Sequence, residues 1–148
     1  MIKRLYPPHY LALSILAIIA IDYFVSVELM SGERAFRIGI VLLIVSLTLT
    51  VSAARLFSKA GTGIVPFSES TVLVAKGAYR FTRNPMYLGM FVLLVAVSFL
   101  VNSLIGLLVL IPFFLIIRNR FVLKEEEHME AAFGEEYLAF KSRVRRWL

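Results

Sequence analysis

From Met86 to Ile117 the chain runs 32 residues without a single Asp, Glu, Lys or Arg, and nothing else in the sequence limits its fold so tightly. One straight helix of that length would reach roughly 48 Å, well past the ~30 Å hydrocarbon core of a bilayer. Asn102 and Ser103, near its middle, supply a polar turn. The tract therefore reads as a helical hairpin with arms at about 86–101 and 104–117. Each arm is short for a full span, and Pro112 is expected to kink the second. Two more apolar runs precede it, at about 10–30, broken by Asp22 and Glu28, and at about 38–56, ending with Arg55. With 59% hydrophobic residues among 148 and a mean hydropathy of +0.83, one domain has more apolar surface than a water-facing core can hide. The expected fold is an all-α membrane protein, a single domain over 1–148 with about four transmembrane helices including the hairpin. Polar cytoplasmic segments would occupy 57–85 and 118–148.

The charge, +6 overall, is distributed as in a membrane protein rather than a nucleic-acid binder. With the N-terminus inside, Lys3, Arg4, Arg55, Lys59, Lys76, Arg80, Arg83 and seven basic residues after Ile117 all fall inside. Only Arg34 and Arg37 fall outside, accompanied by Glu28 and Glu33. That is the positive-inside pattern, with both termini cytoplasmic, as for a protein of a bacterial-type inner membrane whose basic face meets anionic lipid headgroups. Cysteine is absent, so no disulfide framework or thiolate metal site is expected; with two histidines, no metal site is expected either. The first apolar stretch is too long for a cleavable signal peptide and is expected to stay attached.

After the hairpin, Met129, Phe133, Tyr137, Phe140 and Val144 recur at helical spacing and draw one apolar stripe. Lys, Arg and Glu fill much of the rest, as in an amphipathic C-terminal helix on the membrane surface. Gly134 is its weak point, costing about 1 kcal/mol relative to alanine. Before the hairpin, Thr71 to Val74 is a short β-branched run that suits an extended conformation.

Two clusters flank the hairpin: Lys76 to Gly89 entering it, and Arg118 to Glu127 leaving it. A hairpin returns to its starting side, so basic groups and carboxylates about 40 residues apart are brought to one end. A plainer reading makes Arg80 and Arg83 positive-inside anchors and Lys124 to Glu127 a solvated helix start; it is kept for Glu127, whereas Glu125 and Glu126 are expected to be functional. Tyr6, Tyr10, Tyr23, Trp147 and His9 read as interfacial residues, and His128 as a surface helix residue. Asp22 fits an outer-leaflet polar contact and a buried one equally.

The run Gly77 to Gly89, with Arg83-Asn84-Pro85-Met86-Tyr87-Leu88-Gly89 at its core, resembles the signature of the isoprenylcysteine carboxyl methyltransferase and phospholipid methyltransferase superfamily, commonly Arg-His-Pro-x-Tyr-x-Gly. Glu125-Glu126, Met129, Phe133-Gly134 and Tyr137 resemble its second block, and Gly61-Thr62, Pro66 and Leu73-Val74 its lead-in. The resemblance covers about residues 57–147. Either block alone would be weak evidence; their order and spacing together are specific. It implies S-adenosylmethionine as cofactor, with Gly77, Tyr79, Arg83, Asn84, Pro85, Tyr87, Gly89, Glu125 and Glu126 near it. Arg83 and Glu126 would act at the reacting site, with either Arg118 or Arg120 on the family's arginine before the acidic pair. Asn84 stands where many members have histidine, so no role needing an imidazole carries over.

The chemistry agrees with that implication. An arginine fork suits the cofactor's carboxylate, and a glutamate suits its ammonium or ribose hydroxyls. The expected function is methyl transfer to a lipophilic or amphiphilic acceptor, a prenylated cysteine carboxylate, a phospholipid amine and a small thiol all remaining open. Two other readings are an NADPH-dependent membrane reductase of the sterol reductase type and a non-enzymatic four-helix membrane protein. The first lacks a dinucleotide fingerprint here, and the second has no need for both clusters at one end.

Overall fold

The computed structural model describes residues 5–59 and 72–148. Lys3, Arg4, Gly61, Thr62, Pro66 and Thr71, used above for the orientation, the lead-in and the β-branched run, lie outside the described residues. Val72 to Val74 joins no strand; Val74 instead packs against Ala53 and Tyr79.

The first helix, α1 (Pro7–Phe24), opens with prolines, whose missing amides would be unpaired there in any case. It stops short of the expected Met30, and the cause lies at the hairpin tip. Asn102, in a left-handed backbone conformation at φ 55°, turns the hairpin and engages the loop after α1. Its Oδ1 accepts from the amides of Leu29 at 3.1 Å and Met30 at 3.3 Å, while its Nδ2 donates to the Met30 carbonyl at 2.9 Å. The Leu104 amide bonds the Val27 carbonyl at 2.8 Å. The backbone groups that would have extended α1 are thus spent on the tip. Just before this clasp, Asp22 has one carboxyl oxygen, Oδ1, buried with no hydrogen-bond partner among the described residues.

The second helix, α2 (Gly32–Lys59), is longer than the apolar run predicts. Its first turns are charged yet helical, with Glu33 accepting from Arg37 one turn on. It packs closely along α3 (Pro85–Leu100), the first arm of the hairpin. The Ser46 hydroxyl on α2 donates to the Gly89 carbonyl on α3 at 2.8 Å. A Cβ on Gly89 would collide with the Thr50 hydroxyl. Small residues thus let two membrane helices approach.

The second arm begins as a tight 3-10 stretch, Ile105–Val109, and continues as α4 (Leu110–Ile117). This irregularity falls where Pro112 removes an amide from the ladder and its ring crowds the preceding turn. A π-helical turn, Arg118–Val122, then leads into α5 (Leu123–Phe133). The helix therefore runs unbroken from Ile105 to Phe133, and its charged second half projects beyond the apolar stretch that ends at Ile117. Among the described residues, three helices are long and apolar enough to cross a membrane, and α3 is a shorter apolar one. Ile18, Leu94, Phe113, Ile117 and Val122 form the buried cluster joining α1 to both arms.

The tail is two helices rather than one. Gly134, at φ 50°, separates α5 from α6 (Glu135–Arg143). Tyr137 and Phe140 of the apolar stripe are buried, whereas Val144 is extended and ends α6. From there a strap, residues 144–148, returns across the open end of the hairpin.

Candidate functional site

The site is assembled at that open end from three pieces: the segment entering α3, the first turn of α5 and the strap. Gly77 starts a short 3-10 turn, Gly77–Arg80, at φ 58°. A side chain there would be strained, and its Cβ would lie 2.7 Å from Cδ1 of Leu56 on α2. The turn buries Tyr79 against Phe57, ring centroids 5.2 Å apart.

The strap fixes the next residues. The Arg83 amide donates to the Arg145 carbonyl at 2.9 Å. The Arg146 carbonyl accepts from the Thr82 hydroxyl at 3.1 Å and from Asn84 Nδ2 at 3.0 Å. Thr82 in turn accepts from the Asn84 amide at 3.2 Å. Asn84 is therefore a structural tie between strap and helix start, a role an amide fills without titrating. Pro85 is the first residue of α3 and is fully buried.

Two carboxylates from α5 face this frame. Glu126 accepts from Arg146 in a fork, Nε to Oε1 at 3.0 Å and Nη2 to Oε2 at 2.8 Å. Arg83 Nη2 lies 3.3 Å from Glu126 Oε1, and both side chains are only 8% exposed. Arg83 Nε and Nη1 are buried without a partner among the described residues. Two guanidinium groups thus share one carboxylate, leaving buried positive charge and buried donors uncompensated. Such a cluster is costly unless an anion completes it.

Glu125 accepts from the Tyr87 hydroxyl at 2.7 Å. Burial pushes its carboxyl up to about 7, and the tyrosine bond offsets this only in part. The Tyr79 hydroxyl is held well above its ordinary range, chiefly by burial and then by Glu125.

Tyr87 also lines an apolar cavity of about 150 Å³ between the hairpin arms, with Phe91, Phe113, Phe114, Ile117 and Trp147 among its walls. One side chain thus separates a greasy groove from the charged cluster. No group of three or more potential metal ligands occurs among the described residues.

Of the residues picked out by sequence, Tyr79, Arg83, Asn84, Pro85, Tyr87, Glu125 and Glu126 come together. Arg118 and Arg120 do not join them. Arg118 donates to neighbouring Asn119 at 2.9 Å and Arg120 to the Tyr10 hydroxyl at 3.0 Å, both exposed bonds at the π-helical turn. Gly89 is likewise explained by α2, whose Ser46 and Thr50 occupy its face. The strap residues Arg146 and Trp147 escaped sequence reasoning. Arg146 is 20 residues from Glu126, across the break at Gly134, where periodicity carries no register.

Three comparisons bear on this arrangement. The family description "phospholipid methyltransferase" matches residues 35–136. An uncharacterized protein of Haemophilus influenzae is 36% identical over 63 residues, which is 43% of this chain and all of that protein. The solved structure of the eukaryotic intramembrane Ras methyltransferase, isoprenylcysteine carboxyl methyltransferase, superimposes with a TM-score of 0.71 at 20% identity. That alignment covers 96% of this chain and 52% of the enzyme, so the chain spans about half its length. At that identity the likeness is one of fold.

Proposed function

The chain belongs to the phospholipid methyltransferase family of integral membrane proteins, and from that premise we propose that it transfers a methyl group from S-adenosylmethionine to a lipophilic or amphiphilic acceptor, working at the cytoplasmic face of a bacterial inner membrane. The observation that carries the reading is Arg83, buried, held by Glu126, and with Nε and Nη1 unpartnered among the described residues. Such donors fit a carboxylate, and the cofactor's amino-acid end has one. S-adenosylmethionine, when bound, supplies an electrophilic methyl group on a sulfonium sulfur.

The chain's own residues then have distinct tasks. Arg83 binds the carboxylate, with Glu126 and the strap fixing its fork. Glu125, at the other side of the cluster, accepts from the ammonium or a ribose hydroxyl, while Tyr79 and Tyr87 wall the pocket. No carboxylate is required at the sulfonium itself: its charge disperses as the methyl leaves, so that contact would favour the ground state over the transition state. The groove beyond Tyr87 suits an apolar tail. Holding the two reactants in line there supplies acceleration by proximity, and its apolar walls exclude water.

Calorimetric titration of detergent-solubilised protein tests this. Saturable binding of S-adenosylmethionine and S-adenosylhomocysteine, with none of NADPH, is expected. Binding of NADPH alone would replace this reading with a reductase. Absence of all three in a folded, lipid-reconstituted sample would reduce the methyltransferase reading to a likeness of fold.

A further inference from the structure

The C-terminal strap touches both halves of the site at adjacent residues. Arg146 closes its guanidinium on Glu126 with three contacts of 2.8 to 3.2 Å. The next residue, Trp147, enters the wall of the apolar groove, its ring 5.3 Å from that of Phe114. Phe114 in turn meets Phe91 edge to face, ring centroids 6.0 Å apart. The strap backbone is bonded too: the Arg145 carbonyl accepts from the Arg83 amide, and the Arg146 carbonyl from the Thr82 and Asn84 side chains. These residues lie beyond the segment matched by the family description, which ends at residue 136.

We propose that Arg146 is a positioning residue that couples the charged cluster to the groove: its fork on Glu126 sets the orientation of Arg83 and presents Trp147 to the groove wall. The cofactor half of this statement rests on the proposed function; the strap half does not. Glu126 is shared. Arg146 takes both of its oxygens in good geometry, which leaves Arg83 with one longer contact at 3.3 Å and two buried donors to spare. Without Arg146, Glu126 is free to form a fork with Arg83 and consume those donors. The same loss releases the side-chain anchor next to Trp147. Coupling of this kind is reciprocal, so filling either half stabilises the strap for the other.

Trp147 is the chain's single tryptophan, so its fluorescence reports on the groove wall directly. In ligand-free protein, Arg146→Ala should shift the emission to the red and raise its quenching by acrylamide. Arg143→Ala, a change of equal charge at an exposed position on α6, should do neither. For S-adenosylhomocysteine, Arg146→Ala should weaken binding at least about tenfold, the scale of a lost charged hydrogen bond. Arg146→Lys, which restores the charge but not the fork, should recover only part of this, and Arg143→Ala should match the wild type. Unchanged emission in folded Arg146→Ala, or full rescue by lysine, overturns the proposal. An emission shift in a protein whose wild type binds no S-adenosylhomocysteine retains the strap coupling and instead overturns the cofactor reading.

Discussion

The Tyr87 hydroxyl, on the first turn of α3, donates to Glu125 Oε1 on α5 at 2.7 Å, bridging the two arms of the hairpin across 38 residues of sequence. It joins the open end as Asn102 joins the tip, and it does so at the boundary between groove and charge.

Glu125 makes stability depend on pH in a defined direction. Its carboxyl titrates near 4.5 when unperturbed and at about 7 in the fold, raised mainly by burial. Between these values the folded state holds a proton that the unfolded chain has released, so stability falls as pH rises through that window and levels off above it. Thermal unfolding at pH 5.5, 6.5 and 7.5 should show this fall, and Glu125→Gln should flatten it. A wild-type midpoint that rises across the same range contradicts the burial account. Tyr87→Phe removes the hydroxyl's partner bond and should cost about 1–3 kcal/mol where Glu125 is ionised.

Gly89→Ala should loosen α2 from α3, because its Cβ meets the Thr50 hydroxyl and lies 3.3 Å from the Ser46 carbonyl. Overpacking of this kind costs about 1–3 kcal/mol. Adding Thr50→Ala removes the obstructing oxygen and should restore part of the loss in thermal unfolding. An alanine variant as stable as the wild type would mean that the two helices are not held at this distance.

The hairpin tip is separable from the site. Asn102→Ala deletes three hydrogen bonds to the loop after α1 and should lower stability by about 1–3 kcal/mol. S-adenosylhomocysteine affinity in the folded fraction should stay within about twofold of the wild type. A larger loss of affinity would show that tip and site are coupled.

Much of this architecture is legible in the sequence, for identifiable reasons. An uncharged run of 32 residues with Asn102 near its centre admits few solutions, and the hairpin follows from bilayer thickness alone. Bringing Arg83 to Glu126 follows from the hairpin in turn. The boundaries were less readable. The end of α1 at Phe24 depends on Asn102 claiming the amides of Leu29 and Met30, a contact across 73 and 72 residues that hydropathy does not encode. The tail stripe predicts that Tyr137 and Phe140 share one helix face, but not that both are buried within the fold or that Val144 leaves the helix. Arg120 bonds Tyr10, 110 residues earlier in the chain, a pairing that the pattern of charges cannot reveal. Arg146 reads from sequence as one more inside-positive charge; only the fold of the strap sets it against Glu126.

The central claim is that Arg83 binds the carboxylate of the cofactor's amino-acid end. It is tested most directly by measuring dissociation constants for S-adenosylhomocysteine and for 5′-methylthioadenosine, which lacks that end, in the wild type and in Arg83→Ala. The account predicts that the wild type prefers S-adenosylhomocysteine by at least about tenfold, the scale of a charge-assisted pair, and that Arg83→Ala abolishes most of the preference while binding 5′-methylthioadenosine nearly as before. Equal weakening of both ligands, or a preference that survives the substitution in folded protein, would contradict it.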